Sequence, residues 1–172
     1  MAQTEVLITF YSRCGSTEKL ALSAAVGAVQ ARAQIRFRRL PDIGEAISSA
    51  DSPECRKVHE RMCKEYVAPN EADVLRADAI IFVAPSEFSA VSPEWTEHLD
   101  LIEELRSAGK LNGKVAAAIQ NDAGQDALAR MILRLGFIAV PAGTSGDGAA
   151  RALAHGRRTA EVATVLKKSA GQ

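Results

Sequence analysis

The sequence predicts an α/β fold, a parallel sheet of about five strands with helices on both faces. Three observations carry this reading. Residues 5–11 (EVLITFY), 79–84 (AIIFVA) and 114–119 (KVAAAI) are short apolar runs without alternation, as in strands buried on both sides. Segments of helical length, rich in Ala, Leu and charged residues, separate them. A turn of small residues, 12–17 (SRCGST), follows the first run directly.

In chain order, residues 5–11 are the first strand, 12–17 the turn, and 18–32 a helix free of Pro. Residues 34–40 (QIRFRRL) alternate, with Ile35 and Phe37 opposite Arg36 and Arg38, which suits an edge strand. The stretch 41–70 opens with turn residues and holds a helix over 53–66. A short helical turn at 71–76 leads into the strand at 79–84, then a loop at 85–91. Ser92 is placed to cap a helix with Pro93 at its first position, running to Ser107. The strand at 114–119, a loop at 121–124, a helix at 125–135 and a strand at 137–140 stopped by Pro141 follow. A flexible turn at 143–148 and a helix over 149–168 close the chain. Crossovers in such a sheet are right-handed, and ligands bind beyond the carboxyl ends of the strands. The loops to watch are therefore 12–17, 85–91 and 120–125.

The bulk properties narrow the function. The 172 residues suit one domain, 1–172, and 47% hydrophobic with 24% charged residues is ordinary globular composition. A formal net charge of +0 gives no pointer to nucleic acid or to a charged membrane surface. No run reaches the roughly 20 apolar residues of a membrane span, so no membrane insertion is expected. Residues 1–4 are not a basic leader, and Cys14, Cys55 and Cys63 are few and odd in number. A cytoplasmic location with free thiols is the expectation.

The turn at 12–17 is placed to hold a phosphate. Free N–H groups and the positive end of the dipole at a helix start favour an anion. Gly15 lets the backbone come close, and the hydroxyls of Ser12, Ser16 and Thr17 can donate to phosphate oxygens. The alternative is that Ser16 or Thr17 merely caps the helix. Neither G-x-G-x-x-G nor G-x-x-x-x-G-K-[ST] occurs. A cysteine phosphatase would need an arginine where Leu20 stands, and a phosphorylated receiver an acid where Phe10 and Tyr11 stand.

ITFYSRCGSTEKLA resembles the first phosphate loop of flavodoxin-like proteins, in particular the WrbA-type NAD(P)H:quinone oxidoreductases, close to NADPH-dependent FMN reductases. ADAIIFVAPSEFSAVSPEWTEHLD is similar to the same family's second loop, and GKVAAAIQND, LGFIAVP and ARALAHGRRTAEVATVLK to its later elements. Residues 42–70 have no counterpart. The resemblance implies a flavodoxin-like three-layer sandwich with strand order 2-1-3-4-5. It implies FMN as cofactor, NAD(P)H as electron donor, a quinone or similar small-molecule acceptor, and a homodimer or homotetramer. Carried over by position, Ser12, Arg13, Cys14, Gly15, Ser16 and Thr17 would hold the FMN phosphate. Pro85, Ser86, Glu87 and Phe88 would line one side of the ring, and Asn121, Asp122, Ala123 and Gly124 would approach from the third loop. No catalytic acid–base group and no metal ligand is implied, since the flavin would carry the redox chemistry.

The chain departs from that family's pattern at the ring end. Glu87 replaces an arginine, Ser89 and Ala90 replace glycine and asparagine, and Arg134 and Leu135 replace a histidine pair. The third loop is short, and the loop after the last strand is cut to residues 142–148. A flavin-free domain used in binding or assembly is therefore the alternative function.

Three other patterns have simpler explanations. Cys55, His59 and Cys63 repeat every four residues, but the two cysteines lie about 12 Å apart along one helix, so the three cannot share one zinc. They read as a half-buried helical face, or else as two ligands of a site completed elsewhere. Arg32, Arg36, Arg38 and Arg39 read as solubilising an edge strand rather than meeting the extra phosphate of NADPH. Trp95 reads as packing or an oligomer contact, Phe88 as a residue in reach of a ring, and the isolated His98 and His155 as surface residues.

Overall fold

Strands β1 (Glu5–Phe10), β2 (Gln34–Arg39), β3 (Ala79–Ala84), β4 (Val115–Gln120) and β5 (Ile138–Val140) pair in the order β2-β1-β3-β4-β5. Every pairing is parallel, with Val6 opposite Ile35 on one side and Ala79 on the other. The helices are α1 (Ser16–Gln30), α2 (Pro53–Glu65), α3 (Glu71–Arg76), α4 (Pro93–Ser107), α5 (Gln125–Arg134) and α6 (Gly148–Ala170). This computed structural model describes residues 3–86, 88, 92–120, 125–143 and 146–171.

The period of two along each strand sends neighbouring side chains into two cores. Val6, Ile8, Phe10, Ile81 and Val83 face α1 and α6. Leu7, Ile80, Phe82 and Ala116 face the other way, toward residues of α3, α4 and α5. Because both faces of β1, β3 and β4 are covered, their runs are almost wholly apolar, with Glu5, Thr9 and Gln120 as the polar residues. The outer strands differ. Half-buried positions dominate β2, and Ile138 and Ala139 of β5 are exposed.

On the first face, α1 and α6 touch through their backbones. A methyl group at Gly27 would lie 2.0 Å from the Leu153 carbonyl oxygen, and one at Gly156 would lie 2.1 Å from that of Ala24. Only glycine permits that approach. The second face is filled by large rings: Trp95 is fully buried, and Phe82, Phe88 and Phe137 surround it and its neighbours.

Several expectations are corrected. Cys14 and Cys55 are joined in a disulfide, because the start of α2 packs against the first loop; only Cys63 is a free thiol. His98 and His155 are buried, not on the surface. His98 lies on the inner face of α4, and burial pushes its pKa down to about 4. His155 donates from Nε2 to the Val140 carbonyl, 2.9 Å away, at the end of β5. Arg39 is 5% exposed and serves the first loop rather than solubility. Ser92 occupies the cap position of α4 with no side-chain cap bond; Asp147, Ser52 and Asn70 do cap their helices. Helix α1 begins two residues earlier than expected, because Gly15, at φ 94°, makes the turn that starts it.

Candidate functional site

The chain leaves β1 toward one neighbour, β2, and later crosses to the other, β3. The loops after β1 and β3 therefore lie side by side at the switch point of the sheet, the usual ligand position in such folds.

The β1–α1 loop is held from outside the sheet. Ser12 is buried, and its Oγ accepts from the Gly15 N–H at 3.0 Å. The Ser12 carbonyl accepts from Nη2 of Arg39 at 3.1 Å, and the Arg13 carbonyl lies 3.3 Å from Nδ1 of His59. The Arg13 guanidinium pairs with Asp51 at 2.8 Å. Cys14 is bonded to Cys55, and a methyl at Gly15 would lie 2.9 Å from Cγ1 of Val58. Glu18, in the first turn of α1, is buried; it accepts from Arg61 at 2.6 Å and from the Tyr66 hydroxyl at 2.5 Å. Burial pushes the Glu18 carboxyl up, but the bonds from Arg61 and Tyr66 outweigh it and hold the group below its usual range. Burial and Glu18 together push the Tyr66 hydroxyl up to about 12.

These contacts take up the carbonyls of Ser12 and Arg13 and the side chains of Ser12, Arg13 and Cys14, while no side chain caps the N-terminus of α1. The first two residues of that helix, Ser16 and Thr17, line a cleft of about 500 Å³. Tyr11, Arg13, Cys14, Ser16 and Thr17 form one wall of the cleft. Pro85, Phe88, Ser92 and Glu94 form the wall opposite, and Ile43, Glu45 and Ala46 close one side. The volume falls in the range of small-molecule sites, about 300–1,000 Å³. The second wall is fixed from β4, where Nε2 of Gln120 donates to the carbonyls of Pro85 and Ser86 at 2.9 and 3.1 Å. Phe88 is largely buried and packs edge-on against Trp95, with 5.2 Å between ring centroids. Burial, with Asp42 and Glu94 nearby, pushes the Tyr11 hydroxyl up to about 12. Tyr11 therefore stays a neutral donor at neutral pH.

Of the residues named from sequence, the cleft unites Arg13, Cys14, Ser16, Thr17, Pro85 and Phe88. Ser12 and Gly15 lie behind that wall and shape the turn. The Ser86 carbonyl receives Gln120. Glu87, Asn121, Asp122, Ala123 and Gly124 lie outside the described residues. Tyr11, Ile43, Glu45, Ala46 and Glu94 were missed. Tyr11 sits directly before the loop and was legible by position, whereas 43–46 carries no periodic or turn signal that points at a cleft.

The sequence model of the NADPH-dependent FMN reductase family matches residues 7–161, from β1 to within α6. The chain belongs to this family. It is 32% identical to an NAD(P)H dehydrogenase (quinone) of Archaeoglobus fulgidus over 117 residues, 68% of this chain and 61% of that protein. It is 31% identical to one of Azorhizobium caulinodans over 121 residues, 70% of this chain and 58% of that protein. This FMN reductase family member thus spans about three-fifths of the length of those relatives. Among solved structures it is similar to a flavodoxin, WrbA-like protein from Agrobacterium tumefaciens, with TM-score 0.65 and 17% identity over 95% of this chain and 99% of that one. It is also similar to Megasphaera elsdenii flavodoxin, with TM-score 0.60 and 19% identity over 91% and 98% of the two chains. These likenesses establish the flavodoxin-like fold with strand order 2-1-3-4-5. Among the described residues, no helix is long and apolar enough to cross a membrane.

Proposed function

We propose that this chain is an FMN-dependent oxidoreductase that passes electrons from NAD(P)H to a quinone or a similar small acceptor. The observation that carries the reading is the uncapped N-terminus of α1 opening on the switch-point cleft. The residues fit FMN at that end. The Ser16 and Thr17 N–H groups would hold the phosphate, with the Ser16 and Thr17 hydroxyls beside them and Arg13 at the rim. A helix N-terminus stabilises such an anion by about 0.3–1 kcal/mol when exposed and up to about 2 kcal/mol when partly buried. Pro85 and Phe88 supply the apolar part of the opposite wall, and the Tyr11 ring, its hydroxyl bonded to Asp42, lies between the two ends. Bound FMN would supply the two-electron chemistry. The protein's share is to anchor the phosphate, keep water from one face of the cleft and hold Tyr11 protonated. Glu45 and Glu94, on the walls away from α1, place negative charge where a second anion would be repelled. Family membership weighs against the flavin-free alternative.

The homodimer or homotetramer and the cytoplasmic location belong to the same proposal. The open β5 edge, with exposed Ile138 and Leu133, supports an oligomer. Quenching of FMN fluorescence on titration with the protein is the first test. FMN that keeps its free fluorescence would sink the reading. NADPH oxidation with benzoquinone should exceed that with free FMN alone. Ser16→Glu, which puts a carboxylate at the phosphate position, should weaken FMN binding about tenfold, roughly 1.4 kcal/mol, and leave riboflavin unaffected.

A further inference from the structure

The four-residue repeat Cys55, His59, Cys63 is divided by the fold. Cys55 turns to the first loop and bonds Cys14. His59 and Cys63, farther along α2, turn instead to Asp42 in the stretch after β2. Nε2 of His59 lies 3.3 Å from Oδ2 of Asp42, Sγ of Cys63 lies 3.4 Å from that same oxygen, and Sγ and Nε2 are 3.5 Å apart. A tetrahedral zinc, with bonds of about 2.0–2.2 Å to O and N and about 2.3 Å to S, separates its ligand atoms by about 3.3–3.6 Å. The three donor atoms already stand at those separations.

The neighbouring contacts orient the three groups. Nδ1 of His59 faces the Arg13 carbonyl, which only accepts, so Nδ1 carries the ring proton. The Nε2 side of the ring then turns to the Asp42 carboxylate and the Cys63 sulfur. Arg39 donates from Nη2 to Oδ1 of Asp42 at 2.8 Å and from Nη1 to Oδ2 at 3.2 Å, and so orients the carboxylate, as partners of metal ligands do. Cys63 is exposed, so a fourth coordination position would open to solvent.

We propose that Asp42 Oδ2, His59 Nε2 and Cys63 Sγ bind one divalent cation of the zinc class, with an exchangeable fourth ligand. The mixed O, N and S donor set favours zinc over magnesium or calcium, which take oxygen alone. Cys63 binds a metal as the thiolate, so binding releases its proton and affinity rises with pH. The bound ion would tie α2 to the end of β2, and through the Arg13 carbonyl to the first loop.

Cobalt(II) chloride, titrated into the purified full chain without added thiol, tests the site. The expected result is one cobalt per chain, with tetrahedral d–d absorption and a thiolate-to-cobalt charge-transfer band. Cys63→Ser should abolish the band, and Asp42→Asn, which keeps the shape, should weaken binding tenfold or more with unchanged far-UV circular dichroism. The double variant Cys14→Ser, Cys55→Ser should keep the band, which separates this site from the neighbouring Cys14, Asp51 and Cys55 group. Absence of a thiolate–cobalt band in the folded wild-type chain overturns the proposal. So does a band that survives Cys63→Ser.

Discussion

On one face of the sheet, α1 and α6 meet backbone to backbone through Gly27 and Gly156, with Ala21, Ala24, Ala28 and Ala160 around them. On the other, Trp95, Phe82, Phe137 and His98 fill the space between α4 and the strands. The first face is specified by the absence of side chains and the second by their bulk. The difference follows the function. The α1 face carries the loop that opens on the cleft, and a helix locked to its neighbour keeps its first N–H groups in place. The α4 face carries the second wall, whose Phe88 rests on Trp95.

The two faces should therefore fail in different ways. Trp95→Ala leaves a large cavity on the ring-filled face and should cost about 3–5 kcal/mol in chemical denaturation. Because Phe88 leans on that ring, the variant should also loosen the second wall and weaken FMN binding. Gly156→Ala brings a methyl against the backbone of α1, where no rotamer change relieves it, and should cost about 3 kcal/mol. A loss below about 0.5 kcal/mol would mean that the helices do not touch as described.

The third prediction concerns pH and only the α4 face. His98 is buried in a folded pKa of about 4, and among the described residues neither ring nitrogen has a partner. An unfolded histidine titrates near 6.5. Between these values the unfolded chain binds the extra proton, so stability falls as pH drops from about 6.5 to about 4, by up to about 3 kcal/mol. His98→Leu should flatten that part of the profile and leave stability at pH 8 within about 1.5 kcal/mol. Buried His155 is lowered in the same direction and contributes to the variant's residual slope, to which the lowered carboxyls of Glu18, Asp42 and Asp73 add toward the acid end.

Most of the fold was legible. The strands at 79–84 and 114–119 stood out because burial on both faces removes polar residues from the sequence, and β3 keeps the expected bounds. The short α3 keeps them too, because Asn70 and Asp73 form a capping box that is a purely local signal. The site was legible only at its first wall. Arg13, Cys14, Ser16 and Thr17 are adjacent in sequence, so a local motif reports them. Ile43, Glu45 and Ala46 reach the cleft by a path that no periodicity encodes.

What the sequence determined by itself is the order of elements, the outer strand β2 and the small-residue loop at the head of α1. These depend on local propensity and on the period of apolar residues, both readable along the chain. The tertiary structure alone decided which polar residues meet. It joined Cys14 to Cys55 across 41 residues, turned His59 and Cys63 toward Asp42, drew Arg39 inward to Ser12, and buried His98 and His155. Such pairings depend on distances between elements that are far apart in the chain. A helical repeat such as Cys55, His59, Cys63 shows which residues lie along one side of a helix, and only the packing shows what each of them faces.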